Sequence, residues 1–479
     1  MSGLSDFFKY DGLGLAELVR KKEVSPEELL DQGIKNIEKV NPSSNAVVIS
    51  MYNEARGEIR SGLPDGPFKG VPFLLKDLRA YYKGTLTTGG NKLMRFVPDF
   101  DSEITIRYKR AGLVIMGKTN VPELGLSVYT NNKLFGATQN PWDTGCTCGG
   151  SSGGSAVAVA TRIVPMAHAT DSGGSTRIPA SCCGVFGLKT TRARTPYGPG
   201  VSEELAGAST QHAITLSVRD SAALLDATEG PDVGDPYCAP PKARPYVEEV
   251  GARPGRLCIA YTAVPPSGIE VHPDCVAAVM DVAKLCENLG HHMEEARPSV
   301  NWDRIEPAIN LIFGAGMFSK VKEKTELDGV AFSKEDFQPS IWALLEAGEK
   351  FTAADYYKAV QIFHVESRKV GQFFRKYDLL LTPTLGQPPL PISYFDLTIT
   401  DKDEYMKKLF SFAAFTPLFN VTGQPAITVP LYWNSKGLPI GVQFAGRFGD
   451  EATLYRIAAQ LEEARPWFDR RPPINAITG

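Results

Sequence analysis

Apolar positions along the chain follow two periods in turn. Near the N-terminus Leu15, Leu18 and Val19 share one helical face, and the pattern predicts two helices over 13–40. The second opens at Ser25-Pro26-Glu27-Glu28. Ser25 is a capping residue, Pro26 suits the first helical position, and Glu28 stands where a capping box needs a carboxylate. From about Gly70 the texture changes to short apolar runs. Those at 71–75, ending on Lys76-Asp77, and at 113–116, followed by Gly117-Lys118-Thr119-Asn120, predict buried strands with a helix at 102–111 between them. Later come helical stretches at 342–350 and 353–376 and a strand at 378–383. Runs at 426–430 and 440–444 read as paired strands, with a covering helix at 451–463. The alternation predicts an α/β protein with a central twisted mixed sheet covered by helices. There is no tandem repeat and no long linker. A single domain is expected over 1–479: a helical arm at 1–65, a catalytic core at 66–230 and 375–479, and a variable substrate-pocket region at 231–374.

Composition changes this picture little. A chain of 479 residues allows roughly two to four domains at about 100–200 residues each, so the single-domain reading rests on the pattern. Lys and Arg number 51 against 54 Asp and Glu, a net charge of −3, so neither nucleic acid nor an anionic membrane is an expected partner. No apolar run approaches the ~18–20 residues of a spanning helix. Met1 to Phe8 lacks a basic stretch followed by a long apolar one, so a cytoplasmic location is expected. In such a chain the eight cysteines are expected as free thiols. Cys146-x-Cys148 and Cys182-Cys183 lack zinc spacing, no His-Glu-x-x-His occurs, and no Gly-x-Gly-x-x-Gly opens a helix after the first strand. Neither a metal nor an organic cofactor is expected.

Candidate chemistry concentrates at 145–200, which is rich in Gly, Ser and Thr yet interleaved with apolar segments at 156–160 and 163–167. A disordered linker would not carry those segments; a loop-rich site built on a sheet would. Two serines flanked by glycine pairs stand out, in Gly149-Gly150-Ser151-Ser152-Gly153-Gly154-Ser155 and Asp171-Ser172-Gly173-Gly174-Ser175-Thr176-Arg177. Glycine pairs let a backbone come close to a ligand. The amides of Ser172, Gly173, Gly174 and Ser175 could form a nest around an oxyanion. A hydroxyl needs a base to become a nucleophile. A desolvated lysine is the natural candidate, because burial lowers its pKa, and Lys76 closes an apolar strand. An isolated Gly-Ser pair is ordinarily a turn; the specificity lies in the combination.

The whole stretch 136–190, with Gly-Gly-Ser-Ser-Gly-Gly-Ser, Asp-Ser-Gly-Gly-Ser-Thr-Arg-Ile-Pro-Ala and Gly-Leu-Lys-Thr, closely resembles the amidase signature of a family of serine amidohydrolases. The blocks at 70–77, 117–120, 140–143 and 420–426 look like landmarks of the same family, and only about 200–370 fits poorly. The resemblance implies Lys76 as base, Ser151 as bridging serine after a cis peptide bond, and Ser175 as acylated nucleophile. It also implies an oxyanion hole from the amides of Ser172 to Ser175, support from Ser152, Asp171 and Arg177, and a substrate contact at Gly125. Met166-Ala167-His168 and the run at 217–226 look closest to the 6-aminohexanoate-cyclic-dimer hydrolase branch. The expected activity is hydrolysis of a small alkyl, aryl or cyclic amide, in a possible homodimer. The alternative is the glutaminase (A-type) subunit of a tRNA-dependent amidotransferase. His168 is expected as a core histidine, and Cys146 and Cys148 as inert thiols.

Overall fold

Among the described residues eleven strands form one mixed sheet: β1 (Val47–Ser50), β2 (Pro72–Lys76), β3 (Val114–Thr119), β4 (Met166–Asp171), β5 (Phe186–Lys189), β6 (Thr210–Thr215), β7 (Cys258–Tyr261), β8 (His292–Glu295), β9 (Leu379–Pro383), β10 (Ala426–Trp433) and β11 (Pro439–Gly446). Their spatial order is β1-β3-β2-β4-β6-β5-β10-β11-β9-β7-β8. β2 runs parallel to β3 and β4, whereas β4, β6, β5, β10, β11 and β9 pair antiparallel in turn. The computed structural model describes residues 4–478, so the first three residues of the stretch read for a leader lie outside the described residues.

Helices cover the sheet: α1 (Gly12–Arg20), α2 (Pro26–Ser44), α3 (Tyr52–Ser61), α4 (Glu103–Arg110), α5 (Gly153–Ala160), α6 (Arg177–Cys183), α7 (Val218–Thr228), α8 (Tyr246–Val250), α9 (Pro273–Asn288), α10 (Trp302–Asp328), α11 (Pro339–Glu349), α12 (Ala353–Phe373), α13 (Lys402–Phe412), α14 (Pro417–Thr422) and α15 (Glu451–Ala464). The start of α2 is the expected capping box. Ser25 Oγ accepts from the Glu28 amide at 3.2 Å, and Glu28 Oε2 accepts from the Ser25 amide at 2.8 Å.

Every residue of β2, β3 and β4 is buried, which is why these segments read as apolar runs rather than as alternation. The faces still separate. Leu74, Val114 and Met116 pack with α5, while Phe73, Leu75 and Ile115 pack with Leu15 and Tyr108 on the other side. Successive strand residues point to opposite faces, so one sheet feeds two cores. By the same period Lys76 shares the face of Leu74, towards α5. Among the described residues no helix is long and apolar enough to cross a membrane.

Two segments depart from the expected outline. The arm at 1–65 is not wholly helical: it supplies β1, an edge strand antiparallel to β3. Likewise 231–374, expected as a variable substrate-pocket region, also contributes to the sheet, since β7 and β8 extend it beyond β9. Both strands of the second pair have four residues; β8 is polar and largely exposed and carries no buried-strand signature, whereas β7 is a short apolar run that went unassigned.

Candidate active site

Lys76 ends β2 with its side chain fully buried, so its amine has lost water as a partner. Two hydroxyls replace it: Nζ lies 2.8 Å from Ser151 Oγ and 2.7 Å from Thr170 Oγ1. Burial pushes the Lys76 ammonium down to about 7; the Asp171 carboxylate opposes that shift and the Arg79 guanidinium adds to it. A neutral amine, able to accept a proton, is therefore well populated near neutral pH. His168 on β4 holds the strand from behind: its Nδ1 accepts from the Lys76 amide at 3.3 Å and its Nε2 meets Gln211 Oε1 at 3.2 Å. Burial first, then Lys76, drives the His168 imidazole down to about 3, so it is the neutral core residue expected.

Ser151 follows a cis peptide bond at Gly150, just before α5. Only glycine fits at 150, because a Cβ there would stand 2.5 Å from the carbonyl oxygen of Ser127. Ser175 lies on the turn between β4 and α6, beyond Gly174 at φ 128°. The amide of Ser152 donates to the carbonyl of Ser175 at 3.2 Å and pins the two serine loops side by side. Ser152 Oγ meets the Thr170 carbonyl at 3.3 Å and ties the first loop to β4. Ser151 and Ser175 line one cleft, without a hydrogen bond between them among the described residues.

Asp171 and Arg177 form the frame under the second loop, both fully buried. Asp171 accepts from the Gly174 amide at 2.8 Å, the Thr176 amide at 3.2 Å, Arg177 Nη2 at 2.9 Å and Asn420 Nδ2 at 2.9 Å. Burial alone would raise its carboxyl, but the charge and hydrogen bonds of Arg177 outweigh that and hold it down at about 2. One amide of the expected nest is thereby committed, because Gly174 points its N–H at Asp171. Among the described residues the amides of Ser172, Gly173 and Ser175 have no acceptor in the protein. Gly125, at φ 71°, borders the same cleft: a Cβ there would lie 3.4 Å from Ser151 Oγ.

The cleft encloses about 910 Å³, its mouth included. Its walls are mostly apolar: Ile309, Phe313 and Met317 from α10, Leu344 from α11, and Met406 and Phe410 from α13. The expected pocket region at 231–374 thus supplies part of the wall, and 406–417 supplies another part that sequence reasoning did not assign. Thr170 was also missed, since a threonine inside a buried strand carries no mark of its contact with Lys76. Burial pushes the Cys146 thiol up to about 11 and the Cys148 thiol up to about 12, the opposite of activation. Among the described residues no three His, Cys, Asp or Glu side chains meet in a way that could hold a metal ion.

The family model described as Amidase matches residues 28–455. The 6-aminohexanoate-cyclic-dimer hydrolase of Paenarthrobacter ureafaciens is 39% identical over 477 residues, covering 97% of this chain and 96% of that protein. A solved structure of 6-aminohexanoate cyclic dimer hydrolase complexed with substrate superposes with a TM-score of 0.92 at 37% identity, covering 98% of this chain and 99% of the other. A bacterial aryl acylamidase of the amidase signature family superposes with a TM-score of 0.86 at 26% identity, covering 96% of each chain. With a matching family model, near-complete coverage and the same sheet, the chain belongs to the amidase signature family and is an amidase, an enzyme that hydrolyses amide bonds.

Proposed function

We propose that the enzyme cleaves a small alkyl, aryl or cyclic carboxamide through an acyl-enzyme on Ser175, with Ser151 as proton bridge and Lys76 as base. The observation that carries this reading is the 2.8 Å contact between the buried Lys76 amine and Ser151 Oγ, at the wall of a cleft that Ser175 also lines. Neutral Lys76 takes the proton of Ser151 while Ser151 takes that of Ser175, and Ser175 Oγ bonds to the carbonyl carbon. Charge gathers on the carbonyl oxygen, where the uncommitted amides of Ser172, Gly173 and Ser175 supply donors; one such donor is typically worth about 3–4 kcal/mol. Collapse breaks the C–N bond, and the proton returns through Ser151 to the departing amine. Water then attacks the ester carbon and passes its proton along the same chain. The acid leaves and Ser175 regains its hydrogen.

The mostly apolar lining of the cleft supports a small, largely apolar substrate. A relative named for a cyclic amide dimer favours including cyclic amides in the class. The test is covalent labelling with a fluorophosphonate probe, beside a chromatographic screen of alkyl amides, anilides, lactams, cyclic amide dimers and glutamine. Wild-type protein should label once, and Ser175→Ala should abolish labelling and turnover together. Labelling that persists in Ser175→Ala would overturn the assignment, and turnover confined to glutamine would move the substrate class.

A further inference from the structure

Three residues beyond the base, the chain places a charge where the cleft has no catalytic need of one. Arg79 and Glu204 are the charged side chains among the described residues that line the cleft. Arg79 is held at φ 73°, a backbone conformation that a residue other than glycine keeps only where its surroundings over-determine it. Its Nη2 lies 2.8 Å from Glu204 Oε1, and the same oxygen receives Lys320 Nζ at 2.6 Å. Two cations therefore share one carboxylate oxygen, and the cluster carries one positive charge in excess. Burial, with Arg79 beside it, pushes the Lys320 ammonium down to about 8, a sign that the two cations press on each other. Arg79 also stands in the partition between the cleft and an adjoining chamber, sharing that wall with Leu78, Leu124 and Met317. In the adjoining chamber Glu323 and Lys324 add charge of both signs, and Lys324 is already paired with Asp328. Glu323 acts on Lys320 from the chamber side, and of the two cations Arg79 is the one that lines the cleft.

A guanidinium has five N–H donors in a fixed fork, of which Glu204, at 2.8 Å, and the Tyr81 hydroxyl take a share. The rest of the cleft offers apolar walls, hydroxyls and the Asn310 amide, none of them a charge that would pair with an anion. We propose that Arg79, backed by Lys320, forms a carboxylate-binding subsite in the cleft wall, so that the preferred substrates are amides in which one half ends in a free carboxylate. The inference rests on amide cleavage at Ser175, and Arg79 in it selects substrate without touching the reacting atoms. Glu204 is the opposing element: it balances the fork when the cleft is empty and competes with the incoming carboxylate.

The test uses matched amides across a range of chain lengths. One series is anilides whose acyl chain ends in a carboxylate, and the other is N-acyl ω-amino acids; each compound is paired with an analogue bearing an isopropyl group in place of the carboxylate. For the wild type, kcat/KM for the acid of the best pair should exceed that for its neutral partner. In Arg79→Gln the acid-to-neutral ratio should fall by about 10- to 100-fold, the worth of a charge-assisted hydrogen bond, mainly through KM. Arg79→Lys should recover part of the ratio, and Glu204→Gln should raise it. A purely structural role for Arg79 would lower both members of each pair together and leave the ratio unchanged; that result, or a wild type indifferent to the carboxylate in both series, overturns the proposal. If no compound of either charge is cleaved, the hydrolytic reading fails instead. Calorimetric titration of the same pairs then decides the subsite, tighter binding of the acids upholding it and equal binding overturning it.

Discussion

At the scale of single residues the site turns on how one amine is held. Lys76 Nζ has Ser151 Oγ on one side and Thr170 Oγ1 on the other, both within hydrogen-bond distance. When the amine is neutral its lone pair can take the Ser151 hydrogen while one N–H donates to Thr170; when it is charged it donates to both. In the proposed mechanism Lys76 is the base and works in its neutral form, so kcat/KM should climb through about 7 as the pH rises and then level off. A profile flat between about pH 5 and pH 9 would exclude a lysine base. Thr170 sharpens the test. Its oxygen stabilises the charged form more than the neutral one, so Thr170→Val should shift the acidic limb to lower pH by about one unit while kcat falls, because the amine loses an anchor. An unmoved limb in that variant would show that the contact with Thr170 has no part in setting the base.

At the scale of elements, the cleft roof depends on how closely α10 and α11 approach. Gly348 on α11 sits against the backbone of Gly314 on α10, where a methyl group would fall on the Gly314 carbonyl. These helices carry Ile309, Phe313, Met317 and Leu344 into the cleft, so their spacing sets its width. Gly348→Ala should force them apart at a cost of about 1–3 kcal/mol, lowering Tm and raising KM for bulky amides more than it lowers kcat. Unchanged KM with a lowered Tm would separate the roof from substrate binding. The legibility of elements in the sequence follows the same physics. The runs that became β2, β3, β10 and β11 were readable because strands buried on both faces must be apolar throughout. β1 hides in four residues after the left-handed Asn45, and β8 lies on an edge with polar side chains, so neither shows a period. The serine loops were legible because they need glycine where backbones nearly touch, as at Gly150. Thr170 and the roof residues were not, since their roles arise only when distant elements meet.

At the scale of the molecule, the serine loop is fixed by a charge that joins distant parts of the chain. Arg177, at the start of α6, donates to Asp171 on β4, to the Thr416 carbonyl at 2.9 Å, to Asn420 Oδ1 on α14 at 2.7 Å and to Gln443 Oε1 on β11 at 2.6 Å. The loop that carries Ser175 is thus tied both to the neighbouring β4 and to α14 and β11 near the C-terminal end. Asp171 is held at about 2, below the ordinary carboxylate value of 3.8, so its interactions contribute stability in full above that ordinary value and lose it as pH falls towards 2. Arg177→Met would leave Asp171 buried without its cation, a loss of about 3–5 kcal/mol. That loss has a sign in pH. Without Arg177, burial drives the Asp171 carboxyl upward and the variant recovers as Asp171 takes up a proton. The Tm gap from wild type should therefore be widest near neutrality and narrow in acid. Pairing the change with Asp171→Asn should restore much of the stability and remove the pH dependence of the gap, because no lone charge is left to bury. If the single and double variants melted together at every pH, the charge pair would not be what secures the loop, and the hydrogen bonds from Asn420 to Asp171 and to the Ala208 carbonyl would have to hold it instead.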